Sequence, residues 1–414
     1  MRDVELYRHL LGITTPWTVR DVELSVEEKR VDVWVEHPEG LLFACPDCQR
    51  EWPVYDHGQE RVWRHLDSCQ FHTFLHARPP RVHCPEHGVK TVPLPWAEMR
   101  SRFTLLFERM AIDVLKACDT QAAARLLGLS WDEAHGIKRR AVERGMKARP
   151  PLVAGSLGVD EKAFKRGHRY VTVVSELGTG HVRHVVETRT KEALSGFYAG
   201  LSAAEKSGIE AVAMDMWPAF ITATKEALPE PDGKIVFDRF HIMGKLTEAV
   251  DKVRRSEHQA LLQDGDTRLK GSKYLWLRNV DTMGAEQYQA FSALKDLNLK
   301  TSRAWAIKEM LKQMWSYRSK TWARKFFDRW YYWATHSRLA PVVAAAKTVK
   351  RHLEGLLNYC QHPITNATAE SINAKIQKMI CQSRGYRNID NFKADILFHC
   401  GGLNLYPATH AKAG

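Results

Sequence analysis

From Gly208 to His241 the chain alternates short apolar runs with turn-forming residues. Ile209 to Met214 is apolar and β-prone, and Asp215 stands where that run ends. Trp217-Pro218 opens a helix, because proline's fixed φ and missing N–H suit the first helical turn. Ala219 to Leu228 then carries helical periodicity. Lys234 to Phe237 is a second short buried run, closed by Asp238. Upstream, Leu157 to Asp160, Tyr170 to Val174 and His181 to Glu187 read as three strands, with a hairpin turn at Gly178-Thr-Gly180 and an amphipathic helix over 190–203. Asp160 therefore ends a third apolar run.

The order of three strands, helix, strand, helix, strand predicts a ribonuclease-H-like mixed sheet. In open α/β sheets chemistry collects outside the carboxyl ends of strands, although an aspartate there also serves as a turn cap. Elsewhere the pattern predicts a short helix and two strands over 1–40, where Val31, Val33 and Val35 alternate with polar or larger residues. Helical periodicity fills 99–147, nearly all of 244–357, and a segment from Asn366 to Lys378. In the long helical stretch Trp305, Trp315, Trp322, Trp330 and Trp333 fall at helical intervals and read as a core stripe, the alternative being rings that stack on exposed bases. The expected architecture is multidomain α/β. It comprises a strand-rich module over 1–98, a helical pair over 99–150, the first part of the mixed-sheet core over 151–243, a helical insertion over 244–361, and the core's C-terminal helices over 362–414.

Composition narrows the function classes. The chain has 414 residues, 44% hydrophobic, so it is globular and large enough for several domains. Its net charge of +13 favours a polyanionic partner. No apolar run is long enough to span a bilayer, and the start, MRDVELYRHLLGITTPW, lacks the features of a signal peptide, so a cytoplasmic location is expected. Cys69, Cys118, Cys360 and Cys400 lie in or beside apolar periodic segments and are expected in the core.

Cys45-Pro-Asp-Cys48 is answered by Cys84-Pro-Glu-His87, two turn-borne pairs that together supply the three sulfurs and one imidazole of a closed, structural zinc site, with the nearby His57, His65, His72, His76 and His83 as alternatives for the fourth ligand. The segment between them, with strands over 61–67 and 71–82, is expected to act as the hairpin that brings the pairs together. In Thr120 to Arg140, small alanines, a turn at Gly128, a cap at Ser130 or Asp132 and the basic end Lys138, Arg139, Arg140 form a helix-turn-helix pattern for a DNA major groove. Further candidate DNA contacts are Lys375 and the basic turn Arg384-Gly-Tyr-Arg387. Among the acids, Asp160 and Asp215, with Glu370 on a late helix, would suffice to cage two divalent ions for phosphodiester chemistry. Glu370 shares a helix face with Asn373.

The chain resembles the ISL-three (ISL3) family of bacterial insertion-sequence transposases of the DDE type. The resemblance covers nearly the whole chain. It is carried most specifically by GVDEKAFKRGHRYVTVV (158–174), AVAMDMWPAF (211–220), VFDRFHIM (236–243), NATAESINAKIQ (366–377) and RGYRNIDNF (384–392). The resemblance implies that Asp160, Asp215 and Glu370 bind catalytic Mg2+ or Mn2+. It also implies that the enzyme recognises double-stranded DNA at the terminal inverted repeats of its element, nicks the ends with water, and joins the freed 3′-hydroxyl to target DNA. Asp238 and His241 match a D-x-x-H motif and read, with Asn373, as supporting residues; Asp238 is also the rival of Asp215 for the second acid. A homodimer on DNA and association with the nucleoid follow from the same likeness. The competing readings are a non-catalytic repressor derived from a transposase and a nuclease without strand transfer.

Overall fold

The computed structural model describes residues 3–153, 155–165, 169–364 and 367–408. Asn366 and the Arg166–His168 part of the 158–174 motif lie outside them. The chain divides into two compact units, one of residues up to Arg149 together with those from Leu403 on, the other of Pro150–Gly402. Among the described residues no helix is long and apolar enough to cross a membrane.

The first unit begins with helix α1 (Asp3–Leu10), followed by β1 (Thr18–Ser25), β2 (Arg30–Glu36), β3 (Leu42–Ala44), β4 (Glu51–His57), β5 (Arg61–Arg64), β6 (His72–Ala77), β7 (Pro80–Cys84) and β8 (Gly88–Thr91). They make two four-stranded sheets, ordered β1-β2-β6-β5 and β3-β4-β7-β8. Val31, Val33 and Val35 are buried as their alternation requires, packing with Trp63 and Leu75. The segment between the two cysteine turns does not act as a simple hairpin. β5 and β6 leave for the first sheet, where β6 runs parallel to β2, and the turns are brought together by β4 pairing with β7.

Helices α2 (Leu105–Ala117), α3 (Thr120–Leu127) and α4 (Trp131–Lys147) follow. Gly128, with φ +65°, closes α3 in the left-handed region that only glycine adopts freely. Ser130, not Asp132, then starts α4 in a reciprocal cap: its hydroxyl accepts from the Glu133 N–H, and the Glu133 carboxylate accepts from the Ser130 N–H at 2.9 Å. Residues 362–414 were expected in the catalytic core, yet Leu403–Ala408 pack here. Arg144 donates to the Leu405 carbonyl at 2.5 Å, the Tyr406 hydroxyl lies between Asp113 and Lys116 of α2, and Leu405 is buried.

In the second unit β9 (Gly155–Lys165), β10 (Arg169–Glu176) and β11 (His181–Glu187) precede α5 (Lys191–Ala199), α6 (Ala203–Gly208), β12 (Ile209–Met214), α7 (Pro218–Ala227), α8 (Pro231–Lys234), β13 (Ile235–Phe237) and α9 (Arg239–Gln263). The sheet order is β11-β10-β9-β12-β13, with β9, β10 and β11 antiparallel and β12 and β13 parallel to β9. α9 begins directly after Asp238 and continues for 25 residues, so one helix crosses the expected boundary at residue 243.

Shorter helices follow: α10 (Lys273–Leu277), α11 (Ala285–Lys295), α12 (Lys300–Leu311), α13 (Lys320–Thr335), α14 (Ala340–Arg351) and α15 (Leu353–Leu357). The chain returns to the sheet as α16 (Ala367–Gln382) and α17 (Ile389–Cys400). One sheet face packs Val171, Val173 and Val182 on Ile372, Ile376 and Phe392 of these last two helices. The opposite face packs Leu157, Val159 and Met214 on Leu194 and Phe220, and this core runs on without a break to Trp276 and Trp330. Gly355 permits that continuity, since a Cβ there would lie 2.3 Å from the Phe237 ring.

Two expectations are corrected here. Cys69 is exposed and Cys118 only half-buried, whereas Cys360 and Cys400 are in the core. The tryptophans do not form one stripe: Trp315 and Trp330 are buried, but Trp322 is 62% and Trp333 36% exposed.

Candidate functional site

Three aspartates form a row across adjacent strands: Asp215 and Asp238 follow the ends of β12 and β13, whereas Asp160, expected at a strand end, lies in the middle of β9, which continues to Lys165. Ala213 is level with Gly158 across β12 and β9, so continuing the register by two residues brings Asp215 level with Asp160. Met214 is level with Phe237 across β12 and β13, so Asp238 falls beside Asp215, and its N–H donates to the Met214 carbonyl at 2.9 Å. Each acid is fixed by its own backbone surroundings. Asp160 accepts from the Glu161 N–H at 2.7 Å, Asp215 from the Trp217 N–H at 2.9 Å, and Asp238 from the Phe240 N–H at 2.9 Å as the cap of α9. Asp238 also faces His241 at 3.8 Å.

Glu370 stands one helical turn before Asn373 on α16, and Asn373 donates to the other Asp160 oxygen at 2.5 Å. Glu370 is exposed and shares a cavity of about 520 Å³ with Asp238, whose wall also holds Arg239, Arg278, Lys308 and Lys312. The pleat sends Glu161 to the face opposite Asp160. There it meets Arg189, at 3.3 Å, whose guanidinium lies between the rings of Tyr170 and Trp217, 4.7 and 4.6 Å from their centroids. Arg189 was missed by the sequence reading because its partners come from three separate elements. Lys162, which donates to the Asn373 carbonyl, was missed likewise.

Burial pushes the Asp160 and Asp215 carboxyls above the ordinary range, against the opposing pull of their hydrogen bonds and of His241. Neighbouring acids add to the rise, Asp238 at Asp160 and both Glu161 and Asp160 at Asp215. A carboxyl raised in this way favours the fold while protonated, and that contribution is lost as the pH rises through its folded pKa. Asp215→Asn keeps the acceptor for Trp217 and removes the buried charge. It is therefore expected to melt higher than the wild type at neutral pH in a chelator, by a few degrees at roughly 2–4 °C per kcal/mol. The gain should shrink toward acidic pH. Calorimetry that found the variant less stable across the pH range would contradict this reading of the carboxylate row.

Cys45, Cys48, Cys84 and His87 present ligand atoms all within 4.8 Å of one another, the one such group of three or more among the described residues. The Cys48 and Cys84 sulfurs are 3.7 Å apart, and His87 Nδ1 lies 3.5 Å from Cys84 and 3.9 Å from Cys45. A tetrahedral zinc with its usual bond lengths requires edges of about 3.8 Å between sulfurs and about 3.6 Å from sulfur to nitrogen. The donors fit zinc. Each turn is anchored to the other arm by an ion pair, Asp47 to Lys90 and Arg50 to Glu86.

Lys138, Arg139 and Arg140 do not end α4, which runs on to Lys147, and they are not the DNA-facing trio that the sequence suggests. Lys138 is buried and donates to the Thr120 hydroxyl at 2.7 Å, tying α4 to α3. Arg140 is drawn inward to the buried Glu108. Of the three, Arg139 is the exposed one, with Glu143 at 3.6 Å. Lys138→Ala is thus expected to lower stability by about 1–3 kcal/mol, the scale of a lost buried charged hydrogen bond, read by thermal melting. Arg139→Ala should leave melting unchanged and weaken DNA binding several-fold. The reverse pattern would return Lys138 to the surface. Lys375, Arg384 and Arg387 are exposed, the last two in the turn between α16 and α17.

The aspartate row, the cysteine–histidine cluster and the capped helix-turn-helix accord with what comparison with known proteins shows, a DNA-cleaving and strand-transferring enzyme of the DDE transposase class. A family model described as a transposase matches residues 157–396, more than half of the chain. A zinc-finger model of the transposases IS204, IS1001, IS1096 and IS1165 matches 42–87, and the helix-turn-helix model of transposase family ISL3 matches 92–142. The chain belongs to the ISL3 family of transposases. It is similar to the transposase for insertion sequence element IS1557 of Mycobacterium tuberculosis, at 28% identity covering 94% of this chain and 93% of the relative. It is also similar to the transposase for insertion sequence element IS1001 of Bordetella parapertussis, at 28% identity covering 86% and 88%.

Proposed function

We propose that this transposase binds the terminal inverted repeats of its own element and cuts and joins DNA at a ribonuclease-H-like site formed by Asp160, Asp215 and Glu370. The observation that carries the reading is the register that sets Asp160 and Asp215 level on neighbouring strands, with Asn373 bringing the Glu370 helix onto Asp160. Hard oxygen donors of this kind suit Mg2+ or Mn2+; when bound, such ions activate the attacking oxygen and offset charge at the phosphorus.

The chain's own groups prepare that chemistry. Asn373 orients Asp160, the Trp217 N–H orients Asp215, and Asp238 with His241 supports the row from the start of α9. Asp215 takes the second-acid role over Asp238 because it follows β12, the strand paired with β9, whereas Asp238 follows β13, one strand further from Asp160. Zinc at Cys45, Cys48, Cys84 and His87 is structural, since four protein ligands leave no open position. The helix-turn-helix, with Arg139, and the surface at Lys375, Arg384 and Arg387 contact the DNA, and two ends are held by a homodimer associated with the nucleoid. The working modules are 1–98, 99–150 with the residues from Leu403 on, a core over 151–243 and 362–402, and the insertion 244–361.

The test uses a labelled duplex carrying the element's end, a target duplex and Mg2+. Nicking at the end with joined products is expected. Binding with no nicking, even with two ends supplied, would support the repressor reading. Nicking with no joined product would support a nuclease.

A further inference from the structure

On α13 and its C-terminal capping residue His336, the residues Trp322, Lys325, Arg329, Tyr332, Trp333 and His336 recur at intervals of three and four. At 3.6 residues per turn they fall within an arc of about 100° and extend over about 21 Å. All six are exposed. Trp322 and Tyr332 are 62% and 65% exposed, unusual for large rings that have a core available on the same helix at Trp330 and Phe327. A cation is set against the rings, Lys325 Nζ lying 4.8 Å from the centroid of Trp322, and the His336 ring stacks 4.0 Å from Tyr332, held there by its bond to the Tyr332 carbonyl. The one acid of α13, Asp328, lies on the flank of this arc.

We propose that this stripe is a binding surface for single-stranded DNA, on which unpaired bases stack on Trp322, Tyr332 and Trp333 while Lys325 and Arg329 neutralise the backbone. Such platforms need π-faces that accept any base and cations that follow the phosphates, and this arc contains both and no carboxylate. A duplex hides the faces of its bases within the stack, so rings stack on bases only where the strands have separated. A second copy of the chain is the less suitable occupant. An isologous contact pairs a patch with itself, and here that would bring together two copies of a cationic patch with no carboxylate within the arc to offset the charge. The inference rests on the reading of this chain as an enzyme that opens DNA at strand breaks.

The experiment measures anisotropy of labelled dT20 and of the labelled terminal-repeat duplex with the full-length protein. Stacking contributes about 1–3 kcal/mol per base, so a W322A/Y332A variant is expected to bind dT20 at least tenfold more weakly and the duplex within twofold of wild type. A W322F/Y332F variant, which keeps the rings, should regain most of the dT20 affinity, separating stacking from damage to the helix. Unchanged dT20 binding by W322A/Y332A would overturn the proposal. So would a wild-type dimer in sedimentation that the variant loses without any change in dT20 affinity. Asp215→Asn is run alongside: if it still nicks ends while W322A/Y332A loses dT20, the catalytic assignment fails and the stacking surface stands.

Discussion

Asp215→Asn is expected to bind the element's ends with wild-type affinity and to nick them about a hundred- to a thousandfold more slowly, the scale on which loss of one preorganised charge-stabilising group is felt. The substitution keeps shape and the bond from Trp217, and removes only the charge from the middle of the Asp160–Asp215–Asp238 row. Asp238→Asn is the informative partner. Asparagine caps helices as well as aspartate does, so α9 should keep its start, and the expected loss is tenfold or less. A nicking assay in which Asp238→Asn is inactive and Asp215→Asn still cuts would transfer the second-acid role to Asp238. The same Asp215→Asn protein should melt higher than wild type in chelator. An acid that weakens the fold and is indispensable to the reaction is held in place for the reaction.

Removal of zinc is expected to unfold the metal-bearing sheet and to reduce binding to DNA ends by more than tenfold. The local apolar cluster there has only Cys45, Val82, Cys84 and Val92 as buried members, two of them ligands. A core of that size does not hold four strands by itself. Metal binding at structural sites contributes about 10–16 kcal/mol in zinc peptides at neutral pH, far more than this cluster's packing. Cys84→Ser should reproduce the effect of a chelator. Melting and end binding that stay unchanged in protein proven zinc-free by elemental analysis would contradict this account.

The parts of this molecule that could be read in advance are those whose cause is local. The cysteine turns, the glycine at 128 with the Ser130 cap, and the apolar runs ending in Asp215 and Asp238 are each set by residues within a few positions of one another. What was misread depends on partners far along the chain. Lys138 looks like a surface cation until Thr120 and the packing of α3 bury it; Asn373 reads as a supporting residue, but the acid it bonds, Asp160, lies 213 positions away and is not legible from its neighbours. The tryptophan spacing is helical as expected, but spacing alone does not say which arc of a helix faces the core. Trp330 and Trp322 lie on the same helix with opposite fates. Likewise β5 and β6 are strands, as their alternation predicts, but their choice of sheet was settled by β2 and not by the cysteine turns they separate.

The return of Leu403–Ala408 to α2 and α4 has a consequence for how the protein is made. Synthesis runs from the N-terminus, so the helix-turn-helix emerges early and waits through the whole of Pro150–Gly402 for Leu405 and Tyr406. Until then Arg144 lacks the carbonyl it donates to, and Gly145 lacks the Leu403 side chain that packs against it. The unit that reads DNA is therefore finished last, and a chain halted anywhere before residue 403 leaves the ribosome with its DNA-reading helices incompletely packed.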